Sequence, residues 1–169
     1  MARSLPFLGL LLILIPLTLA ADNDLSSVEL EEQDVLGHVE AVRLMPDEIP
    51  AKARLDTGAS RSSLHAREIE AFDKDGEEWV RFVFDDHDGG KHDFELPIED
   101  EITVTQASGQ ENRYVVKVGL CVGAHYSETD FTLTDRSALT YPILVGRTFL
   151  SEGILVSSEH DRTVEPDCG

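Results

Sequence analysis

Apolar and polar residues alternate along much of this chain. The clearest case is Ala51-Lys52-Ala53-Arg54-Leu55, where Ala51, Ala53 and Leu55 face one way and two cations the other, the pattern of a half-buried strand. Gly37 to Met45 alternates more loosely, with Val39, Ala41 and Val42 apolar. Trp79-Val80-Arg81-Phe82-Val83-Phe84 reads as a buried strand, and residues 85–91 (DDHDGGK) as a turn, in which Asp88-Gly89 is a hairpin signal. His92 to Leu96 pairs back as the second arm. Further strands are expected at Ile102 to Thr105, Tyr114 to Val122 and Thr129 to Leu133. Two short helical pieces are expected, over residues 63–69 and 148–151. Many short strands separated by turn signals predict an all-β, closed or sandwiched barrel. No internal repeat is visible.

The N-terminus departs from this pattern. Residues 4–20 (SLPFLGLLLILIPLTLA) form an apolar run preceded by Arg3 and closed by small residues, the layout of a secretory signal peptide, with cleavage expected near Ala20 or Ala21. The competing reading is a retained membrane anchor, although the run is near the lower limit for a spanning helix. Residues 21–34 are acidic and read as a flexible leader; residues 35–160 form one domain and residues 161–169 a tail. The expected location is exported and periplasmic.

The formal charge is −19, and removing Arg3 with the signal makes it −20. Phosphate backbones would be repelled, so nucleic acid is excluded as a partner; the bland value of the acidity is solubility. Cys121 and Cys168 are the two cysteines. Export permits a disulfide, and both a tail-to-core bridge and a free buried thiol are open.

The chemistry concentrates in Asp56-Thr57-Gly58-Ala59. The strand ending at Leu55 delivers a carboxylate into a tight turn, and Gly58 lets backbone approach whatever that carboxylate handles. Later in the chain comes Ile143-Leu144-Val145-Gly146-Arg147-Thr148-Phe149-Leu150. Together these resemble the active-site turn and closing strand of a retropepsin-like aspartic peptidase. Within that class, residues 56–66 (DTGASRSSLHA), residues 107–113 (ASGQENR), and residues 133–136 leading into residues 142–147 resemble the bacterial family that carries the label "ATP-dependent zinc protease".

The resemblance implies a retropepsin-like barrel active as a two-fold dimer, hydrolysing peptide bonds. An acid dyad needs two carboxylates sharing one proton; with a single Asp-Thr-Gly triplet, two copies of Asp56 must meet across an isologous interface. Asp56 would be the catalytic residue. Thr57 would tie the two loops together, Gly58 would present its backbone to the peptide substrate, Ala59 would belong to the loop's support, and Gly146 and Arg147 would support the loop from below. Retropepsins pair that arginine with an acid just after the active-site Ala; here Ser60 and Arg61 stand there, so the support must be rebuilt or absent. The expected flap is the tip Ala107-Ser108-Gly109-Gln110, with Asp88-Gly89-Gly90 as rival. Two close carboxylates titrate apart, so activity is expected to need one proton on the pair and to have an optimum on the acidic side of neutral.

No cofactor is expected. There is no His-Glu-x-x-His segment, no paired cysteines at finger spacing and no phosphate-cradling glycine loop. Asp85, His87, Asp88 and His92 could gather around a cation but read more simply as a solvated hairpin tip, and His65 as a packing or capping residue. The expected partners are a peptide or protein substrate, a second copy of the chain and, from the gene associations the resemblance implies, a membrane-bound protein. The alternatives are a catalytically silent barrel that binds peptide or protein, a metal-dependent peptidase, and a periplasmic ligand-binding β protein.

Overall fold

The structure, a computed structural model, describes residues 33–86, 88–106 and 109–169. The expected signal peptide and most of the expected leader lie outside these residues, as do His87, Ala107 and Ser108. Twelve strands and one short helix follow in order: β1 Asp34–Gly37, β2 Val39–Met45, β3 Ile49–Leu55, β4 Ser62–His65, β5 Arg67–Lys74, β6 Glu77–Asp85, β7 Lys91–Pro97, β8 Asp100–Gln106, β9 Gly109–Val122, β10 His125–Thr134, β11 Ile143–Val145, α1 Arg147–Leu150 and β12 Ile154–Ser157.

The all-β expectation holds, and the main sheet closes on itself. Its strand order is β10-β4-β11-β3-β2-β9-β8, and β9 also pairs with β10, so six strands complete a ring and β8 hangs from the long β9 as a hairpin arm. Alternation places the core. Ile49, Ala51, Ala53 and Leu55 of β3 are buried while Pro50, Lys52 and Arg54 are exposed. The same logic buries Val116, Val118, Leu120 and Val122 from β9 and Phe131 and Leu133 from β10. Outside the ring, β5-β6-β7 form a separate three-stranded sheet. It turns Val80, Phe82 and Phe84 into the same core, with Phe82 stacked on Phe94 at 5.2 Å.

The helix expected over residues 63–69 is a correction. Ser62 to His65 form β4, parallel to β10 and antiparallel to β11, and residues 67–74 form β5. All four β4 side chains are buried. Two flanking strands satisfy the backbone of this segment, which outweighs a short stretch of helix propensity. The second expected helix is present as α1, anchored by buried Phe149 and Leu150.

The chain's end is pinned rather than loose. Glu40, fully buried on β2, accepts hydrogen bonds from the Gly37 N–H (2.6 Å), the Thr163 N–H (2.9 Å) and the Thr163 hydroxyl (2.6 Å). Five residues further on, Cys168 is disulfide-bonded to Cys121 at the end of β9, which resolves the open question on the cysteines. The β1-β12 pair, parallel and separate from the ring, is extended by His38 N–H to His160 O at 2.9 Å and joined to β3 of the ring by Leu55 N–H to His38 O at 3.0 Å.

The bridge closes a loop of 47 residues in sequence separation. Chain-entropy reasoning gives it about 4 kcal/mol. Urea titration with and without a dithiol should therefore show a large loss of stability on reduction; an unchanged midpoint would mean that the Glu40 clasp alone holds the tail.

Candidate active site

Asp56 leaves the end of β3 half-buried, and its own Oδ1 accepts the Gly58 N–H at 2.9 Å. That bond closes a tight Asx turn, and Ala59 N–H to Asp56 O at 3.2 Å completes it. The Asp56 N–H donates to Val145 O at 2.9 Å, extending the parallel pairing of β3 with β11 by one bond.

Arg147 backs this turn. Its Nη1 donates to Thr57 O at 3.1 Å and to Gly58 O at 2.8 Å, while its N–H donates to Ala59 O at 2.9 Å and the Thr148 N–H to Ser60 O at 3.1 Å. The support that sequence reasoning left as rebuilt or absent is thus rebuilt on carbonyl oxygens. Arg61 turns elsewhere, to Asp100 at the base of β8, 3.7 Å away. Gly146 has a packing reason: a Cβ there would lie 2.5 Å from the carbonyl carbon and oxygen of Arg61. Its N–H donates to the buried Ser62 Oγ at 3.1 Å.

Six of the residues singled out in the sequence, Asp56, Thr57, Gly58, Ala59, Gly146 and Arg147, are therefore one bonded unit. Gly109 and Gln110 open β9 at the tip of the β8-β9 hairpin, in register with Gln106 and Thr105; Ser108 lies outside the described residues. Ile102 and Val104 of that hairpin line a cavity of about 400 Å³ together with Ala59 and Ser60, so the arm reaches the Asp56 loop. The rival tip is tied down by Asp88, whose carboxylate meets Lys52 at 2.9 Å.

Sequence reasoning missed the cations. Arg54 and Arg136 line a second cavity of about 310 Å³ with Asp56, and Arg136 also lines the first, with Arg61 and Arg113. Arg136 is only 7% exposed. Its Nε donates to Tyr141 O at 3.1 Å and its Nη1 to Ser63 Oγ at 2.9 Å. The Arg136 N–H donates to His65 Nδ1 at 2.8 Å, so that nitrogen carries no proton and His65 acts as a buried packing and capping residue. Burial first, then the neighbouring cations Arg113 and Arg54, push the Arg136 guanidinium below its ordinary value, and Asp56 pulls the other way. An arginine stays charged through such a shift, so a positive group faces the candidate catalytic carboxylate. Arg54 was visible as a cation at a strand's outward position; nothing in sequence spacing marks Arg136 as buried. Among the described residues, no three His, Cys, Asp or Glu side chains gather as a metal site.

A closed β ring with an Asp-Thr-Gly turn held by a Gly-Arg strand end defines a retropepsin-like protein. A sequence profile of the RimB-like family, described as retropepsin-like aspartic endopeptidase RimB, matches residues 35–165, and the chain belongs to that family. It is similar to a crystal structure from Legionella pneumophila of a protein with unknown function, with a TM-score of 0.66 and 28% identity over 76% of this chain and 96% of that one. It is also 35% identical over 64% of its length to a probable alpha-L-glutamate ligase of Shewanella halifaxensis, and 35% identical over 66% to one of Parasynechococcus marenigrum. The chain spans about a quarter of the length of these relatives.

Gly146→Ala should destabilise the fold by about 2–4 kcal/mol, because the added methyl group meets main chain that β4 and β11 hold in place. Thermal melting checks this; an unchanged midpoint would show that the Arg61 carbonyl yields.

Proposed function

We propose that this chain is an exported aspartic endopeptidase that acts as a homodimer on acidic peptide segments. The observation that carries the peptidase reading is the Asp56 turn itself: a half-buried carboxylate fixed by the Gly58 N–H and backed by Arg147 on the Thr57 and Gly58 carbonyls. One such turn per chain supplies one carboxylate, so two chains make the dyad. In that dyad the ionised carboxylate takes a proton from water, and the protonated one donates to the scissile carbonyl oxygen. Water oxygen bonds to the carbonyl carbon. The C–N bond then breaks as the amine accepts a proton from the pair, while one hydroxyl of the tetrahedral diol gives its proton back to a carboxylate and re-forms the C=O, so that the pair is again singly protonated. Thr57 ties the two turns across the axis, Gly58 and Ala59 border the substrate backbone, and the β8-β9 hairpin, on which Gly109 and Gln110 stand, closes over it.

The acidic preference rests on charge contrast. In a chain of formal charge −19, Arg54, Arg61, Arg113 and Arg136 converge on the two cavities beside Asp56 and its loop. Guanidinium groups match carboxylates in geometry as well as in sign. The relatives named as glutamate ligases fit the same chemistry, since a ligase of that name adds the residue that such a cleft would read. Export is supported by the apolar run at residues 4–20 and by the disulfide. A membrane-bound partner in the same compartment is part of this reading.

Cleavage of a glutamate-containing peptide library should be lost in Asp56→Asn, with an unchanged dimer fraction by analytical ultracentrifugation. Cleavage that survives in Asp56→Asn, or that a chelator abolishes, would replace the aspartic mechanism with another. Arg54→Gln, at an exposed position, and Arg136→Gln should each lower kcat/KM about tenfold or more for glutamate-containing peptides and much less for neutral ones. High salt should weaken the same preference. Equal losses on neutral and acidic peptides would remove the charge-reading role.

A further inference from the structure

A concavity of about 520 Å³ lies apart from Asp56. It lies where the start of β5, the middle of β9 and the end of β10 meet, and nothing in the peptidase chemistry requires it. Arg113 is a wall of both this cavity and the one beneath the β8-β9 hairpin. That second cavity shares Arg136 and Leu144 with the one holding Asp56. Arg113 thus stands between this cavity and the lining residues that lead back to the candidate catalytic carboxylate.

Strand β5 is an edge of its sheet, which has the order β5-β6-β7. Its pairing with β6 jumps from Arg67 opposite Val83 to Glu70 opposite Arg81, so Glu68 and Ile69 stand against the single residue Phe82. Glu68 has a φ of 53°. Such a bulge re-aims side chains and breaks regular pairing where it occurs, and bulges favour positions next to active sites. Here it sets Arg67, Glu68 and Ile69 on the cavity wall, all three exposed, with Ile69 among the few large apolar side chains at the surface (39% exposed). Tyr114 and Leu133 complete an apolar floor; Arg113 is paired on the wall with Glu111 at 2.7 Å, Asp135 lies on the same lining, and Arg67 is the cation at the β5 rim. Arg67 and Glu68 also line a further hollow of about 270 Å³, whose other walls are Val83 and Asp85 of β6 and Lys91 and Asp93 of β7.

We infer that this cavity is a distal subsite for the substrate polypeptide. It takes an extended segment several residues away from the scissile bond, laid along the free edge of β5, with an apolar side chain on Ile69 and a carboxylate at Arg67. Strand addition at an exposed edge is a recurrent way of holding extended peptide, with main-chain bonds giving affinity and alternate side chains giving selectivity. The occupant is the substrate itself because Arg113 borders both this cavity and the one beside the Asp56 loop. The inference rests on the peptidase reading for its choice of ligand. Its consequence is that long substrates are preferred to short ones with the same residues around the cleaved bond.

The test uses the Asp56→Asn protein, which binds without cutting, and two fluorescein-labelled probes. One is a peptide of about 24 residues rich in glutamate, alanine and leucine, roughly 80 Å when extended; the other is its central hexapeptide. Fluorescence anisotropy should give the long probe about tenfold tighter binding, because its distal contact forms intramolecularly once the cleft is occupied. Adding Arg67→Glu or Ile69→Glu should abolish that difference and leave the hexapeptide Kd and the melting temperature unchanged. Equal affinities for the two lengths, equal weakening of both by the variants, or no binding of the long probe at millimolar concentration would each overturn the subsite. If the wild type cleaves neither probe but the length dependence persists, the peptidase reading fails and the subsite stands.

Discussion

Arg147 and the carbonyl oxygens of the Asp56 turn form the contact on which the rest of the site depends. β11 is wedged between β3, which it meets in parallel, and β4, which it meets antiparallel. At its end the chain turns at Gly146, close against Arg61, and Arg147 meets the carbonyls of Thr57, Gly58 and Ala59 with side chain and main chain together. Every acceptor in this set is backbone. Carbonyl oxygens are present whatever the side chain, so the turn keeps its support although Ser60 and Arg61 stand where an acid was the expected partner. Arg61 is thereby free to pair with Asp100 at the base of the β8-β9 hairpin and to line the cleft.

The electrostatic arrangement follows from the same framework. A strongly acidic chain concentrates cations where its candidate catalytic carboxylate sits, and the most buried of them, Arg136, is held by an uncharged oxygen on each of two neighbours, Tyr141 and Ser63. Desolvation of a guanidinium is costly unless its N–H groups are met. Neutral acceptors meet that need without cancelling the charge, which leaves a positive field in the cleft. On β2 the opposite case occurs. Glu40 is buried as fully, but its oxygens are taken up by main-chain and hydroxyl donors of Gly37, Thr163 and Val164, and it serves as a clasp for the C-terminal segment. The two buried charges thus do different work because one has its partners in the cleft and the other in its own chain's end.

β3 and the β6-β7 hairpin fall where the sequence pattern put them, and β9 and β10 contain the stretches expected as strands but begin earlier, at Gly109 and His125. The Asp56 turn and the Gly146-Arg147 end were legible as motifs, since an Asx turn and a close backbone approach each demand particular residue types. Residues 63–69 misled because β4 is covered on both sides and shows no alternation to read. Its strand state comes from β10 and β11, which lie some seventy to eighty residues away in sequence.

Local sequence determined the positions of most strands, β4 and the start of β5 apart, the turn chemistry of Asp56-Thr57-Gly58 and the short α1 helix, because those depend on interactions between residues close in the chain. Tertiary structure alone decided that Cys121 meets Cys168, that Glu40 is buried and satisfied, that Arg147 is answered by carbonyl groups, that Arg54 and Arg136 meet beside Asp56, and that Arg113 joins Arg136 in the neighbouring cavity. Each of these joins segments far apart in sequence, and ring closure is what brings them within bonding distance. Spacing along a chain carries no record of which strands will lie side by side once the sheet closes.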